Sequence, residues 1–205
     1  MSQDLRENLR QAYNNKAVER DDRTIQDWKL QEQQIFLALL QKEHKTRLLE
    51  LGAGTGLDGQ FFQAQGFTVT CTDLSPEMVR FCRQKGLDAH VMDFAHLDFP
   101  PASFDAVYAL NSLLHLPKKE LPKVLTNIDQ LLHKNGLFYL GVYGGPDREG
   151  IYEEDTYEPK RFFAFYPDET LKQIVSNVFD LHQFNSIPLE ADSTLHFQSF
   201  ILRKC

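Results

Sequence analysis

Apolar and polar positions along this chain form alternating blocks with strand-like and helix-like spacing. Runs rich in β-branched and aromatic residues predict strands near 47–51, 67–72, 89–92, 104–110, 136–143, 180–187 and 194–203. Helical spacing predicts helices near 57–65, 76–84, 119–133 and 168–177. This alternation indicates a parallel sheet with helices on both faces. Only a short loop, Pro188 to Ser193, separates the last two strands, so these must pair antiparallel.

Two further helices are predicted before the first strand, from Asp4 to about Lys16 and from Thr24 to Gln41. The second has an apolar face formed by Trp28, Ile35, Phe36 and Leu39. A charged link, residues 19–23, separates the two helices. We expect them to cover the carboxyl edge of the sheet, where open α/β sheets bind ligands.

The stretch from Gly144 to Pro167 is predicted to be irregular, and it is rich in aromatic residues. Loops of this length in compact domains are usually lids or binding loops, and disordered segments are poor in aromatics. We therefore expect a substrate lid whose inner wall contains Tyr152, Tyr157 and Phe163. Alternatively, the aromatics seal the sheet edge against the N-terminal helices.

A glycine turn, Gly52-Ala53-Gly54-Thr55-Gly56, follows the first predicted strand and precedes a predicted helix. Glycines let the backbone turn tightly and approach a ligand closely. The spacing differs from the dinucleotide fingerprint, which would need glycine at Leu57, and no P-loop lysine is present. Glu50, just before the turn, would repel a pyrophosphate but suits a ligand with ammonium or sulfonium groups.

Asp73 lies at the tip of the second predicted strand, 21 residues after Gly52. An acidic residue at this position can accept both hydroxyls of a ribose. Ribose recognition without a phosphate site suggests a nucleoside, and S-adenosylmethionine fits that description.

Four segments in this order resemble the motifs of class I S-adenosylmethionine-dependent methyltransferases: residues 48–62, 71–78, 91–94 and 103–108. The resemblance is close from Arg47 to Tyr143 and looser elsewhere. It implies a Rossmann-like α/β fold with a seven-stranded, mostly parallel sheet and a C-terminal antiparallel hairpin. We expect a single domain with an N-terminal helical cap (1–43), a cofactor-binding core (44–143), the lid (144–167) and a C-terminal helix and hairpin (168–205).

The resemblance also implies roles for residues of the cofactor site. Gly52, Gly54 and Gly56 would line the methionine portion, and Asp73 would bind the ribose. Glu50 would orient the turn and the cofactor's ammonium group, or else only brace the loop. The remaining expected contacts are adenine packing by Leu74 and Phe94, an adenine-amino acceptor at Asp93, and backbone carbonyls at Leu110 and Asn111.

His115 follows the fourth predicted strand, beside the expected sulfonium. Histidine can act as a general base near neutral pH, but packing or cofactor positioning is the competing interpretation. Tyr13 and Tyr143 are further candidates for the pocket wall or for a base. The other histidines are scattered, and no spacing of His or Cys suggests a metal site.

Composition limits the possible partners and the compartment. The net charge is −7, and no Lys or Arg stripe is evident, so nucleic acid is not expected as a partner. The three cysteines are unpaired by spacing, no segment is long and apolar enough to span a membrane, and no signal peptide is evident. We therefore expect a cytoplasmic protein; its oligomeric state does not follow from the sequence.

The sequence thus predicts transfer of a methyl group from S-adenosylmethionine, by direct in-line displacement, to a small-molecule acceptor, leaving S-adenosylhomocysteine. Two alternatives stay open: a non-catalytic sensor or scaffold that binds S-adenosylmethionine, and a methyltransferase acting on a protein. The acidic run 153–155 suggests a cationic acceptor, unless those carboxylates are solvated or pair with Arg148, Lys160 and Arg161.

Overall fold

The computed structural model describes residues 1–189 and 194–205. Its main sheet has seven strands in the order β3-β2-β1-β4-β5-β9-β8, and β6 and β7 form a separate antiparallel pair. Strands β1 to β5 run parallel, whereas β9 pairs antiparallel with both β5 and β8. The strands are β1 (Arg47–Leu51), β2 (Thr68–Asp73), β3 (Asp88–Val91), β4 (Phe104–Leu110), β5 (Leu132–Gly144), β6 (Arg148–Ile151), β7 (Phe162–Phe165), β8 (Asp180–Pro188) and β9 (His196–Arg203).

Seven α-helices are described, with short 3₁₀ turns at Leu113–His115 and Lys118–Glu120. The helices are α1 (Gln3–Asn15), α2 (Ala17–Asp21), α3 (Asp27–Lys42), α4 (Leu57–Ala64), α5 (Pro76–Gln84), α6 (Leu121–Leu131) and α7 (Asp168–Ser176). Apolar cores lie on both faces of the sheet, one including residues of α6 and α7 and the other residues of α3, α4 and α5. No helix in the described part of the chain is both long and apolar enough to cross a membrane.

The strand order reverses between β1 and β4, and this reversal places the candidate site. Chain connections leave β1 and β4 in opposite directions, which opens a crevice at the carboxyl ends of these strands. The glycine turn follows β1, and Asn111 follows β4 with a positive φ of 54°. Such a conformation is uncommon for a residue other than glycine, and it is found preferentially at functional sites.

The predicted mostly parallel sheet and its final antiparallel pair are confirmed, and three local predictions were wrong. The charged link 19–23 is partly helical, as α2. The helix predicted at 119–133 ends at Leu131, because Leu132 already pairs with Phe104 before a register shift in β5. The stretch predicted to be irregular contains the β6–β7 hairpin, which brings Phe163 and Phe165 into a stacked pair. The predicted loop 188–193 lies partly outside the described residues, at 190–193.

The buried face of α3 also differs from the predicted one. Ile35 is 39% exposed, whereas Lys29, Glu32 and Gln33 are buried beside Phe36. The physical reason is that two of these polar side chains find hydrogen-bond partners on this side of the helix, Glu32 in the sheet and Gln33 in α4. Glu32 accepts hydrogen bonds from the hydroxyls of Tyr139 and Ser199 and from the Asn185 amide; Gln33 donates to Asp58 at 2.7 Å.

Candidate functional site

The glycine turn is tied to the end of β2. The backbone N–H groups of Gly52 and Ala53 both donate to the Thr72 carbonyl, at 2.8 and 3.0 Å. Gly52 has a φ of +69°, and a Cβ there would lie 2.4 Å from the Cβ of Ser112. Gly54 also has positive φ, but a Cβ there would meet only the Arg20 guanidinium, at 3.8 Å. Glycine is therefore required at Gly52 by close packing, while Gly54 presents bare backbone to open space.

Asp73 stands at the tip of β2, beside this turn, and is 8% exposed. Its carboxylate accepts hydrogen bonds from the backbone N–H groups of Gly54 at 2.9 Å and Ser75 at 2.8 Å. Burial raises the pKa of Asp73 to about 6, although these two hydrogen bonds oppose the shift. The side chain is thus predominantly ionised at neutral pH, and it retains acceptor capacity toward the adjacent cavity.

This cavity, called here the turn cavity, has a volume of about 60 Å³. That is well below the roughly 300–1,000 Å³ of typical small-molecule pockets, so a ligand of nucleoside size must displace some of the side chains that cover it. The buried hydroxyl of Ser112 lines it and has no hydrogen-bond partner in the described structure. The lining residues are Leu9, Tyr13, Arg20, Arg23, Lys29, Gly52, Ala53, Gly54, Asp58, Asp73, Leu74, Phe94, Leu110, Asn111, Ser112 and His115.

Two of the predicted cofactor residues lie behind the turn instead of facing this cavity. Glu50 is 3% exposed; its carboxylate accepts a hydrogen bond from the Cys71 thiol and occupies the space that a Cβ on Gly59 of α4 would need. Burial, then the neighbouring Asp58 carboxylate, raises the pKa of Glu50 well above its usual range. A Cβ on Gly56 would lie 2.6 Å from Leu87. These positions favour bracing of the turn over direct ligand contact.

Asp93 is also separated from the turn cavity. Its carboxylate lies 2.8 Å from Nε of Arg6 in α1 and accepts a hydrogen bond from the backbone of Ala95. Leu74 and Phe94, in contrast, line both the turn cavity and the small neighbouring space that Asp93 lines. Asp93 can reach a ligand in the turn cavity only if Arg6 and its surroundings rearrange.

A larger cavity of about 400 Å³, called here the roof cavity, adjoins the turn cavity. The two share Tyr13, Arg20, Arg23, Lys29, Asn111 and His115 as lining residues. All five side chains that the sequence predicted for the substrate line the roof cavity. The complete lining is Tyr13, Arg20, Arg23, Lys29, Asn111, Leu114, His115, Tyr143, Tyr152, Glu154, Asp155, Thr156, Tyr157, Arg161, Phe163, Phe165 and Leu195.

His115 is buried between α1 and the hairpin. Its Nδ1 lies 2.7 Å from the Phe162 carbonyl, which can only accept, so Nδ1 carries the proton. Its Nε2 accepts from the hydroxyl of Tyr13, also at 2.7 Å. Burial, then the charge of Arg161, lowers the pKa of His115 to about 3. A neutral, doubly hydrogen-bonded imidazole of this kind favours positioning over general-base chemistry.

Arg161 holds the hairpin segment to the N-terminal helices. Its guanidinium donates to both carboxylate oxygens of Asp155 at 2.8 Å and to the Tyr13 hydroxyl at 3.0 Å. It also stacks 3.5 Å from the ring centre of Tyr157, whose hydroxyl accepts from Arg20. Glu153 lies 3.3 Å from Lys160. Two carboxylates of the acidic run, Asp155 and Glu153, are therefore paired with Arg161 and Lys160. This agrees with the alternative interpretation, in which the run pairs with neighbouring cations.

Four residues that bear directly on the site were not predicted from the sequence: Arg20, Arg23, Lys29 and Asp58. Arg20 and Arg23 belong to the charged link, which was interpreted as a connection only, and no role was predicted for Lys29 or Asp58. The only signal for the three cations in the sequence was their clustering in a segment expected to cover the carboxyl edge. In the part of the chain that the structure describes, no group of three or more His, Cys, Asp or Glu side chains could hold a metal.

Comparison with known proteins identifies the core of this architecture. Residues 48–136, which include the glycine turn, Asp73 and β4, match the sequence model of the methyltransferase domain family. This part of the chain is therefore similar to that family. A glycine N-methyltransferase from Oryctolagus cuniculus is 31% identical over 127 residues, which cover 51% of this chain and 43% of that protein. The chain spans less than half the length of the curated relatives it matches.

Solved structures show that the methyltransferase fold extends over nearly the whole chain. The 1,6-didemethyltoxoflavin-N1-methyltransferase of Burkholderia thailandensis, solved with 1,6-didemethyltoxoflavin and S-adenosylhomocysteine, is 22% identical and has a TM-score of 0.75. That match covers 98% of this chain and 87% of the other. The N-methyltransferase NodS from Bradyrhizobium japonicum WM9, solved with S-adenosylhomocysteine, is 15% identical with a TM-score of 0.71, covering 96% and 98% of the two chains. The class I methyltransferase fold predicted from the sequence is confirmed.

Proposed function

We propose that this protein transfers a methyl group from S-adenosylmethionine to a small-molecule acceptor by direct in-line displacement. The observation that carries this proposal is the junction of two cavities at the reversal point of the sheet. The turn cavity offers bare glycine backbone beside the ionised carboxylate of Asp73. The roof cavity, which shares a wall with it, has the volume of a small-molecule site.

The residues present fit S-adenosylmethionine. Asp73 would accept from the ribose hydroxyls, and Leu74 and Phe94 would pack on the adenine. The backbone at Gly52 and Gly54, with the unpaired Ser112 hydroxyl and the carbonyls of Leu110 and Asn111, would hold the methionine portion. When bound, the cofactor supplies a methyl group that its positive sulfur already activates. We retain Glu50, Gly56 and Asp93 as predicted members of this site, acting through the turn or after a rearrangement.

The chain's own contribution would be orientation and exclusion of water. Tyr13, Tyr143, Tyr152, Tyr157 and Phe163 would position the acceptor, and effective molarities show that such positioning can lower a barrier by roughly 7–11 kcal/mol. His115 would keep the Tyr13 hydroxyl in place by accepting a hydrogen bond from it. No covalent intermediate with the protein is needed for this reaction.

The segment 144–167 is proposed to act as a lid over the acceptor. Its hairpin and the following loop line the roof cavity, and Arg161 fastens them to α1 through Tyr13. Hydrogen exchange in this segment should slow when S-adenosylhomocysteine and an acceptor are both bound. Slow exchange in the free protein that neither ligand changes would instead indicate a fixed wall.

Binding and turnover test the function separately. Calorimetry should detect S-adenosylhomocysteine binding, and Asp73→Asn should weaken it at least about tenfold, because hydrogen bonds to charged groups are worth about 1.5–3 kcal/mol. Asp98→Asn is the matched control, since Asp98 is exposed and lines no cavity described above. Unchanged affinity in Asp73→Asn would contradict the ribose assignment.

A screen of metabolite extracts with isotope-labelled S-adenosylmethionine should yield a labelled small molecule. The small-molecule substrate bound in the Burkholderia thailandensis enzyme supports that choice of acceptor class. Binding without any labelled product would favour the sensor alternative, and label found only in protein would favour a protein acceptor.

The free cysteines Cys71, Cys82 and Cys205 agree with the cytoplasm as the expected compartment.

A further inference from the structure

The two cavities meet at a group of three cationic side chains, Arg20, Arg23 and Lys29, called here the basic cluster. All three line both cavities. None of them forms an ion pair with a carboxylate within the described residues. Arg20 hydrogen-bonds only the neutral hydroxyl of Tyr157, and its Nε is buried without a partner in the described structure. Unpaired cations beside a ligand cavity need an explanation, because a desolvated charge without a partner is costly.

Lys29 shows this cost most clearly. It is 8% exposed, lies in the first turn of α3, and places its ammonium group 5.1 Å from the ring centre of Trp28. Burial, then repulsion from Arg23, lowers the pKa of Lys29 to about 8, and attraction to Asp58 only partly offsets these effects. The positive end of the helix dipole adds to the cost of a cation at this position.

The carboxylates of the site compensate the basic cluster only in part: Asp58 attracts Arg23 and Lys29, and Asp73 attracts Arg20, but none of them forms an ion pair with it in the described structure. Asp155 is held by Arg161, and the exposed Glu154 accepts from Tyr152. Asp73 is shared between the cluster and two backbone hydrogen bonds of the glycine turn, and Asp58 is shared between the cluster and Gln33, from which it accepts at 2.7 Å. An anion bound at the junction of the cavities would therefore stabilise the basic cluster further.

The cofactor does not supply the missing negative charge. S-adenosylmethionine brings one carboxylate, but it also brings an ammonium and a sulfonium, so its binding adds net positive charge. Its carboxylate can engage one member of the basic cluster. The remaining cations then need an anion from the other ligand of the site, and the aromatic walls of the roof cavity suit a flat or apolar body attached to it.

We propose that the methyl acceptor carries an oxyanion, a carboxylate or a phosphate, which the basic cluster receives at the junction of the two cavities. This proposal rests on the proposed function and specifies its substrate class. It replaces the cationic acceptor that the acidic run 153–155 suggested. Charge-assisted hydrogen bonds from lysine and arginine are the usual means of recognising such groups.

The test compares ligands that differ in charge but are similar in size. Benzoate, phenyl phosphate, benzyl alcohol and benzylamine are titrated by calorimetry into the free protein and into protein saturated with S-adenosylhomocysteine. In the saturated protein, the carboxylate of S-adenosylhomocysteine already engages one member of the basic cluster, so the probes report on the remaining cations. We expect benzoate or phenyl phosphate to bind the saturated protein at least about tenfold more tightly than the neutral and cationic probes. The stronger of these two identifies the preferred oxyanion.

Variants connect the preference to the basic cluster. Lys29→Met and Arg23→Gln should each reduce the affinity for the anionic probe at least about fivefold while leaving benzyl alcohol unchanged. Lys119→Met, at an exposed lysine that lines no cavity described above, is the matched control and should change neither. A circular-dichroism melt of each variant verifies folding.

Several results would overturn the proposal. These are equal affinity for all probes, tighter binding of benzylamine, no anion binding at millimolar concentration, or anion binding that S-adenosylhomocysteine abolishes. An unaltered anion preference in Lys29→Met and Arg23→Gln would do the same. Failure of the proposed function is distinguishable, because it would appear as absence of S-adenosylhomocysteine binding whatever the anion titrations give.

Discussion

Replacing Lys29 by methionine should stabilise the protein, and by an amount that depends on pH. Lys29 is buried without an ion pair in the described structure, and its pKa falls from 10.5 to about 8. A difference of about 2.5 pKa units corresponds to about 3 kcal/mol, since one unit is worth about 1.4 kcal/mol. Below pH 8 the lysine is protonated in both folded and unfolded states, so the folded state bears this whole penalty.

The sign of the pH dependence follows from proton linkage. A base whose pKa is lowered by folding binds more protons in the unfolded state, so stability rises with pH between the two pKa values. The penalty should therefore shrink as the pH rises through about 8, and at pH 9.5 about 1.4 kcal/mol of it should remain. Methionine has a similar length and no charge, so Lys29→Met removes the penalty and keeps most of the packing.

Urea unfolding at pH 7 and at pH 9.5 measures this effect. Lys29→Met should exceed the original protein in free energy of unfolding by up to about 3 kcal/mol at pH 7, and by clearly less at pH 9.5. Lys119→Met should stay within about 0.5 kcal/mol at both values, as surface substitutions usually do. A stability difference that is the same at both pH values would refute the reasoning, because an effect of packing alone does not titrate.

Four further predictions concern the turn and the roof. Gly54→Val should abolish S-adenosylhomocysteine binding in calorimetry and cost about 1–2 kcal/mol in urea unfolding, because valine is strained at positive φ and its side chain enters the turn cavity. Tyr13→Phe should lower the free energy of unfolding by about 1–3 kcal/mol, since the buried His115 and the partly buried Arg161 each lose a hydrogen bond. Asp155→Asn should be less stable than the original protein at pH 7. Burial acts to raise the pKa of Asp155, but the hydrogen bonds from Arg161 outweigh it and lower the pKa. The difference in stability should therefore disappear as acid protonates the carboxylate. S-adenosylhomocysteine affinity should be flat above pH 7 and fall below about pH 6 as Asp73 protonates, and Asp73→Asn should remove that dependence.

The parts of the site that depend on chain order could be predicted from the sequence. Gly52, Gly54 and Asp73 follow consecutive parallel strands, and the carboxyl ends of such strands meet at one edge. The order of the strands along the chain is therefore enough to predict that these residues lie close together. The five aromatic residues assigned to the substrate belong to segments that begin or end at this same edge, which is why they share the roof cavity.

The direction of a side chain beside a turn was not accessible in this way. Glu50 is the fourth residue of β1, and alternation along the strand alone does not say which face the turn will use. Its carboxylate lies under α4 because Gly59 leaves room for it there. Asp93 was assigned to the adenine by its position after β3, yet a residue 87 positions earlier, Arg6, lies against it.

Lys29 shows the general reason for such failures. Helical periodicity places it on the same face as Phe36, but a lysine is almost never fully buried, so the pattern favoured a neighbouring face. Tertiary packing reversed that preference: Glu32 finds hydrogen-bond partners in the sheet, Gln33 finds one in α4, and Lys29 reaches the cavities. A rule based on average burial fails where a polar residue serves a ligand site.

The small volume of the turn cavity and the positive charge beside it are connected through the same side chains. The turn cavity has a volume of only about 60 Å³, and two residues that line it, Tyr13 and Arg20, are held by Arg161 and Tyr157 of the hairpin segment. A ligand that enters must loosen these contacts. Movement of the N-terminal helices is therefore coupled to movement of the hairpin through these four side chains. An anion at the basic cluster would compensate for the lost contact between Arg20 and Tyr157 with a stronger, charged one. The cationic junction thus gives the acceptor a means of stabilising the open arrangement that the bulkier cofactor requires.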